Sequence, residues 1–190
     1  MDSVAAMSRV IAETKSVVDG IGDDQWELPT LCTDWTVRDL VNHVTGGATM
    51  FATAVEEGSV SDELVGRLMG SDILGDDPKG AFRTAADRAD AAFRGADNLD
   101  MIVKLPFGEM PASIALNIAI FDVAVHAVDV AKATGQPDAV DNDVLAAALE
   151  VGRLMIGPEM RVPGRFNPEV DVADHASMED RLAGFAGRAI

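Results

Sequence analysis

The sequence predicts an all-α protein, a four-helix bundle with short extra helices and a small hairpin near residues 101–110. Apolar residues recur at helical spacing over four long stretches, glycine or proline follows these stretches, and capping residues precede two helices. Of the 190 residues, 48% are apolar, which is enough for a sizeable core. The length fits a single domain that spans residues 1–190.

The first two long helices have well-marked ends. Residues 3–19 carry apolar side chains at helical spacing, and Gly20 follows them. The second helix begins after Thr36, which forms the capping-box pattern with Asp39 three positions later. An apolar stripe then continues until Gly58, where we expect this helix to end.

Shorter elements precede and follow the third long helix. Residues 63–69 predict a short helical turn, and residues 78–94 predict an alanine-rich helix. Residues 101–105 have strand character, and a turn sequence at 106–108 follows them. Together the last two segments predict the small hairpin.

The fourth long helix is predicted over residues 111–134. Its first residue is a proline, which suits a first helical turn, and Gly135 and Pro137 end it. A fifth helix is expected over 143–156. A short terminal helix over 177–187 starts with a second capping-box pattern.

The charge and the cysteine content exclude several classes of partner and compartment. The formal net charge of −17 argues against nucleic acid and anionic membranes, since both require a positive field. One cysteine excludes a disulfide within the chain, and the N-terminus lacks a secretory pattern. The most apolar stretch, 114–130, is interrupted by polar residues, so we expect no membrane span. These features predict a cytoplasmic protein.

Three polar residues inside the fourth helix require an explanation. On a helical wheel, His126 lies about 40° and Asp129 about −20° from Asp122, so the three share one narrow face. The rest of the helix is apolar nearly all round and should be buried. An unpartnered buried carboxylate costs several kcal/mol, so this face needs a partner.

A metal ion would satisfy this face. Asp122 and His126 are spaced i, i+4, and His43 on the second helix is the candidate third ligand, with Gly47 leaving room one turn later. His175 lies in a polar stretch and is expected at the surface. Three protein ligands leave one position open, as in catalytic zinc sites, and two histidines with one carboxylate also suit iron(II).

The alternatives are structural. Asp122 and His126 could form an internal hydrogen-bonded pair, and His43 could be an ordinary core histidine. Asp129 is a candidate for the layer behind the metal, as a hydrogen-bond partner of a ligand histidine or as a cap for neighbouring backbone.

Other residues were given ordinary structural roles. Cys32, before the second helix, is interpreted as a small buried apolar side chain rather than a reactive thiol. Trp35 is interpreted as a hydrophobic staple that packs on Leu40. The methionines and phenylalanines are assigned to the core.

Three separated segments resemble one protein family. LPTLCTDWTVRDLVNH (28–43) is similar to the P-C-x-x-W-x-V-R-D-L-x-x-H signature of DinB-like metal-binding proteins. HAVDVAKATGQ (126–136) and the tail (166–188) resemble the actinobacterial branch related to mycothiol-dependent maleylpyruvate isomerase. The resemblance covers most of the chain.

The resemblance implies a DinB-like four-helix bundle that holds a divalent metal, usually zinc or nickel, through His43, Asp122 and His126. It also implies mycothiol as a cosubstrate and a homodimer as one possible assembly. Two residues depart from the isomerase: Asp122 stands where it has glutamate, and Val128 stands where the branch has tryptophan. The isomerase also has a further C-terminal domain, for which this chain is too short.

Three functions follow from these observations. The leading hypothesis is a metal-dependent enzyme in which a low-molecular-weight thiol attacks a small electrophile, as a transferase or isomerase. The second is a non-catalytic protein with a regulatory role that binds a metal or a small ligand. The third is a helical interaction module whose polar face is only structural.

Overall fold

The computed structural model describes residues 2–32, 34–136, 139–162 and 166–190. Within them lie, in chain order, α1 (Ser3–Asp19), α2 (Val37–Glu57), α3 (Asp62–Gly70), α4 (Pro78–Gly95), β1 (Ile102–Leu105), β2 (Gly108–Pro111), α5 (Ala112–Thr134), α6 (Asn142–Met155), a 3₁₀ turn (Pro158–Met160) and α7 (Met178–Phe185). The predicted all-α class, with one small hairpin, is confirmed.

The helix ends follow from local chemistry. Thr36 and Asp39 form the full capping box at the start of α2, as predicted. Gly58 ends α2 with a φ of 79° and Gly135 ends α5 with a φ of 71°, a left-handed conformation that glycine adopts at little cost. Pro111 was predicted in the first turn of α5, but it is extended and closes β2, so α5 begins one residue later. The predicted stop at Pro137 lies outside the described residues.

The four long helices form the bundle. Helix α2 packs against α4 and α5, and α1 packs against the same two helices from the other side. Helix α5 is long and apolar enough to cross a membrane, yet 78% of its most apolar window is buried inside the protein. We therefore identify it as a core helix of the bundle, which explains why it is apolar nearly all round.

The hairpin is tied to the end of α2. Its strands pair antiparallel, and Pro106 and Phe107 form the two-residue turn. The backbone N–H of Lys104 donates to the Gly58 carbonyl at 2.9 Å, and the N–H of Val60 donates to the Lys104 carbonyl at 3.2 Å. These bonds hold the hairpin against α2, with its turn beside the cavity between α2 and α5.

The C-terminal helices α6 and α7 also pack on α5. Helix α6 packs on α5 and α7, and the rings of Phe121 and Phe185 meet at right angles with centroids 6.0 Å apart. A Cβ at Gly152 would lie 2.7 Å from atoms of both rings. The absent side chain at Gly152 therefore allows α6 to approach α5 and α7 closely.

We predict that Gly152→Ala lowers the free energy of unfolding by about 1–3 kcal/mol, because the added methyl group overpacks this contact. Gly66→Ala is the matched control. Gly66 is exposed within α3 and an added Cβ there has no neighbour within 4 Å, so the substitution should stabilise the protein by roughly 0.5–1 kcal/mol. Urea unfolding of both variants measures the difference, and equal effects would contradict the close contact.

Candidate metal centre

The three predicted ligand residues lie together at the α2–α5 contact. The Nε2 atom of His43 is 3.3 Å from Oδ1 of Asp122, and the Nε2 atom of His126 is 3.6 Å from the same oxygen. One potential ligand atom from each of the three residues lies within 4.8 Å of the other two. The one-turn spacing on α5 and the packing of α2 against it produce this arrangement.

The spacing of these atoms suits a tetrahedral ion. Zinc binds nitrogen and oxygen at about 2.0–2.1 Å, so neighbouring ligands of a tetrahedral site lie about 3.3–3.4 Å apart. The distances of 3.3 and 3.6 Å to the Asp122 oxygen are close to this value. The 3.6 Å contact is too long for a hydrogen bond, so His126 Nε2 lies beside Asp122 without being hydrogen-bonded to it.

Asp129 orients His126 from behind. Its carboxylate is fully buried, with 0% exposure, and accepts a hydrogen bond of 3.0 Å from Nδ1 of His126. An ionised carboxylate can only accept, so Nδ1 of His126 carries a proton, and Nε2 is directed to the side of Asp122. This is the arrangement that typically supports a metal-binding histidine.

Arg188 neutralises Asp129, a contact that the sequence did not predict. Its Nη2 group donates to Asp129 Oδ2 at 2.8 Å and its Nε group donates to Oδ1 at 3.1 Å. The contact joins residues 59 positions apart, so helical periodicity could not reveal it. The available signal was a lone arginine in the apolar end of the tail.

Electrostatics in the cluster favour an ionised Asp122. Burial alone would raise the pKa of Asp122, but the hydrogen bond from His43 and the charges of His43, His126 and Arg188 outweigh burial and lower it. Burial, the largest single effect, opposes the charged form of His43, but the hydrogen bond to Asp122 and the charge of Asp122 together outweigh it and raise the pKa of His43 above its ordinary value. The metal-free protein therefore holds a coupled imidazole–carboxylate pair.

Cys32 lies closer to the cluster than its sequence position indicated. Its sulfur, His126 and Asp129 form a second group whose potential ligand atoms lie within 4.8 Å of one another. Burial raises the pKa of the Cys32 thiol, and the carboxylates of Asp129 and Asp122 add to this effect against the opposing charge of Arg188. The raised pKa favours the neutral thiol, but Cys32 is half-buried, not buried as the sequence predicted.

Trp35 covers the two histidines. Its ring centroid is 4.8 Å from that of His43 and 6.0 Å from that of His126. The staple interpretation did not anticipate this contact. Next to Trp35, Asp34 adopts a φ of 73°, and the N–H of Trp35 donates to the carbonyl of Cys32 at 3.1 Å.

Two cavities meet at His43 and Met69. One, of about 280 Å³, is apolar apart from His43 and Asp122 and lies between α2, α3, α5 and the hairpin turn. The other, of about 350 Å³, is more polar and is lined in part by Trp35, Asp34 and Asp39. His43 is thus accessible from both sides.

The assignment of all methionines and phenylalanines to the core is wrong for two residues. Met69 is 52% exposed and Phe107 is 55% exposed, and both line the apolar cavity. They lie on α3 and in the hairpin turn, which lie over the open side of the α2–α5 contact. Their apolar surface therefore faces a cavity, not closed packing.

Two adjacent glycines on α2 shape this region. A Cβ at Gly46 would lie 3.2 Å from the Leu68 carbonyl oxygen, so glycine allows α3 to lie close to α2. A Cβ at Gly47 would lie 3.6 Å from Asp122 Oδ2, and Gly47 lines the apolar cavity. The predicted room beside His43 is present, and it borders Asp122.

His175 is exposed, as predicted.

We predict that Asp129→Asn lowers the free energy of unfolding by about 3–5 kcal/mol, because it leaves the Arg188 charge buried without its partner. Combining Asp129→Asn with Arg188→Met should cost less than the sum of the single changes. Asp19→Asn is the control: it breaks an ion pair of 2.6 Å with Arg83, in which the side chains are 39% and 49% exposed. Its cost should be roughly 0–1 kcal/mol. Denaturant unfolding measures these costs. If the cost of the double change equals the sum of the two single costs, the coupling of Asp129 and Arg188 is contradicted.

The profile of the mycothiol maleylpyruvate isomerase N-terminal domain matches residues 7–131, a region that contains His43, Asp122, His126 and Asp129. Two proteins of Mycobacterium tuberculosis, the uncharacterized proteins MT0763 (strain CDC 1551 / Oshkosh) and Rv0738 (strain ATCC 25618 / H37Rv), are each 31% identical over 195 residues. Each match covers 100% of both chains.

Solved structures share the fold. The crystal structure of the mycothiol-dependent maleylpyruvate isomerase matches with a TM-score of 0.63 at 17% identity, over 80% of this chain and 66% of that chain. A histidine-to-alanine mutant of that isomerase matches with a TM-score of 0.65 at 18% identity. The predicted DinB-like bundle is therefore confirmed, and the chain belongs to the mycothiol maleylpyruvate isomerase N-terminal domain family.

Proposed function

We propose that the protein binds one divalent metal ion, zinc in the first instance, through His43, Asp122 and His126. The observation that carries this proposal is the position of Asp122 Oδ1, 3.3 Å and 3.6 Å from the two Nε2 atoms. Nickel(II) and iron(II) suit the same donor set.

The ion would serve a reaction between a low-molecular-weight thiol and a small electrophile. Support comes from the family, since the isomerase that shares this fold is mycothiol-dependent by name. A divalent ion here would lower the pKa of a bound thiol and so supply a thiolate nucleophile at neutral pH. Mycothiol, or a thiol of its type, is the proposed cosubstrate, and transfer or isomerisation is the proposed reaction class.

The protein's own residues would orient and shield this chemistry. Asp129 accepts the Nδ1 proton of His126, and Arg188 holds Asp129 in place, so the imidazole cannot turn without losing its bond to a fixed carboxylate. Trp35 covers one side of the histidine pair. The two cavities that meet at His43 provide separate places for a polar thiol and a less polar electrophile.

A second candidate function is a non-catalytic protein with a regulatory role that binds a metal or small ligand. The match to the isomerase spans only 66% of that enzyme's chain, so activity of the isomerase itself does not transfer with the fold. A thiol that shifts the absorption spectrum of the cobalt(II)-substituted protein, followed by turnover of an electrophile, would favour the enzyme. A spectral shift without turnover would favour the second candidate.

The setting we propose is cytoplasmic. A single cysteine and a net charge of −17 suit a reducing compartment and small-molecule partners, not nucleic acid or membrane. A homodimer, suggested by family resemblance, stays a prediction that light scattering can test.

We predict about one equivalent of zinc or nickel in protein purified without a metal-affinity tag. His43→Ala or His126→Ala should remove the ion, because two remaining ligands hold a metal far more weakly than three. His175→Ala is the matched control: this histidine is exposed and lies outside the cluster, so its loss should leave the metal content unchanged. Elemental analysis makes the measurement, and no metal after incubation with zinc would contradict the proposal.

We predict opposite pH slopes for the metal-free and metal-loaded proteins. Since the pKa of His43 is raised, its contact with Asp122 stabilises the metal-free fold fully below the unfolded histidine value of about 6.5. That stability is lost as pH rises through the folded pKa. Metal binding needs the neutral imidazole, so affinity instead increases as pH rises through the same range.

Thermal unfolding between about pH 6 and 8 checks this prediction. The melting temperature should fall with pH in the metal-free protein and rise with pH at a fixed, subsaturating zinc concentration. His43→Gln should flatten both slopes. If the melting temperature changed with pH in the same direction with and without zinc, this pH dependence would be contradicted.

A further inference from the structure

We propose that the electrophile is an uncharged, largely apolar small molecule whose body occupies the apolar cavity beside Asp122. This substrate class differs from a carboxylate substrate of the maleylpyruvate kind. The inference rests on the proposed function, since it takes the metal centre as the reacting end of the cavity.

The cavity lining is almost entirely apolar. Apart from His43 and Asp122, its walls come from glycine, proline and apolar side chains, chiefly Met50, Phe51, Val65, Met69, Phe107 and Ile118. These walls offer dispersion contacts and no hydrogen-bond donor from a side chain. A ligand here gains by removing apolar surface from water.

An anion would find no unpaired counter-charge in this cavity, because His43, the one basic side chain among the described lining residues, is already paired with Asp122. Among the described residues that line it there is no lysine or arginine, while Asp122 contributes a negative charge. The cation close to this centre, Arg188, is already bound through Nε and Nη2 to the buried Asp129. A carboxylate transferred from water would therefore lose its hydration without a compensating ion pair.

The proposed metal ion would not supply the positive charge that an anionic electrophile needs. The two positive charges of a divalent ion are offset by the Asp122 carboxylate and by the thiolate that the reaction requires. The centre would then be neutral overall when the electrophile enters. The protein's net charge of −17 also gives no long-range attraction for an anion.

Size and shape narrow the substrate class. The cavity of about 280 Å³ lies just under the roughly 300–1,000 Å³ range of small-molecule sites, so the ligand should be small. Met69 belongs to the lining of both cavities and is 52% exposed. An unbranched, flexible side chain at this shared wall can adjust to different ligand shapes.

The reaction balances with such a substrate. For an uncharged enone, the thiolate sulfur forms a C–S bond at the β-carbon and the C=C electron pair moves towards the carbonyl. A proton from water then completes the adduct. No oxidant, reductant or further co-reactant is needed.

The first test is binding, independent of turnover. Methyl benzoate and benzoate share one skeleton and differ in charge, and ligand-observed NMR can compare them on the metal-free protein, where no ion can bind the carboxylate. We expect methyl benzoate to bind about tenfold more tightly or better. Equal or tighter binding of benzoate would overturn the inference.

A positive charge introduced into the cavity wall should shift the binding preference from methyl benzoate towards benzoate. Met69→Lys adds a cation at the cavity on a partly exposed position of a surface helix, and Met69→Gln is its uncharged control. Leu154→Lys adds the same charge at an 88% exposed position on α6, outside the cavity lining. We expect benzoate binding to improve only in Met69→Lys, and improvement in Leu154→Lys would show a non-specific effect and contradict the assignment.

Turnover separates this inference from the proposed function. The zinc-loaded protein with mycothiol should convert cyclohexenone, while a carboxylated cyclohexenone should react no faster than without protein. If the neutral ligand binds preferentially but neither enone reacts, the thiol-dependent function fails and the cavity's preference stands. If the carboxylated enone is the better substrate, the preference fails and the enzyme function stands.

Discussion

The structure of the site depends on the buried ion pair between Asp129 and Arg188. Asp129 is fully buried in the core helix of the bundle, where a lone carboxylate would be strongly unfavourable. Arg188 supplies the opposite charge through Nε and Nη2, and Asp129 also accepts the Nδ1 proton of His126. Asp129 therefore links the C-terminal tail to His126 and orients this candidate metal ligand.

From this pair the site is built outward in layers. Asp129 orients His126, and Asp122 lies between His126 and His43, which is covered by Trp35. The glycine pair on α2 then sets the spacing: Gly46 admits α3, and Gly47 leaves space beside Asp122. The inner layers are polar and mutually paired, whereas the cavity beyond Asp122 is apolar and open. That gradient suits a site that holds an ion firmly and exchanges small ligands.

The comparison with the isomerase shows how far the shared region extends along this chain. The bundle is shared at 17% identity, and the family match at residues 7–131 contains all three candidate ligands and Asp129. Arg188 lies beyond that match, in the C-terminal tail of this chain. The apolar walls formed by α3 and the hairpin turn border the candidate ligands without contributing one. Their side chains can therefore vary without changing the candidate cluster.

The sequence by itself determined the helices, the hairpin and the candidate ligand set. Capping boxes, glycine stops and apolar periodicity are local signals, and the Asp122–His126 pair follows from one helical turn. Only the tertiary structure decided the rest, because the remaining contacts join distant segments. Arg188 reaches Asp129 across 59 positions, Trp35, next to the left-handed Asp34, lies against the histidines, and Met69 and Phe107 border a cavity instead of a core. Periodicity reports which face of an element is apolar, and it carries no information on which other element that face will meet.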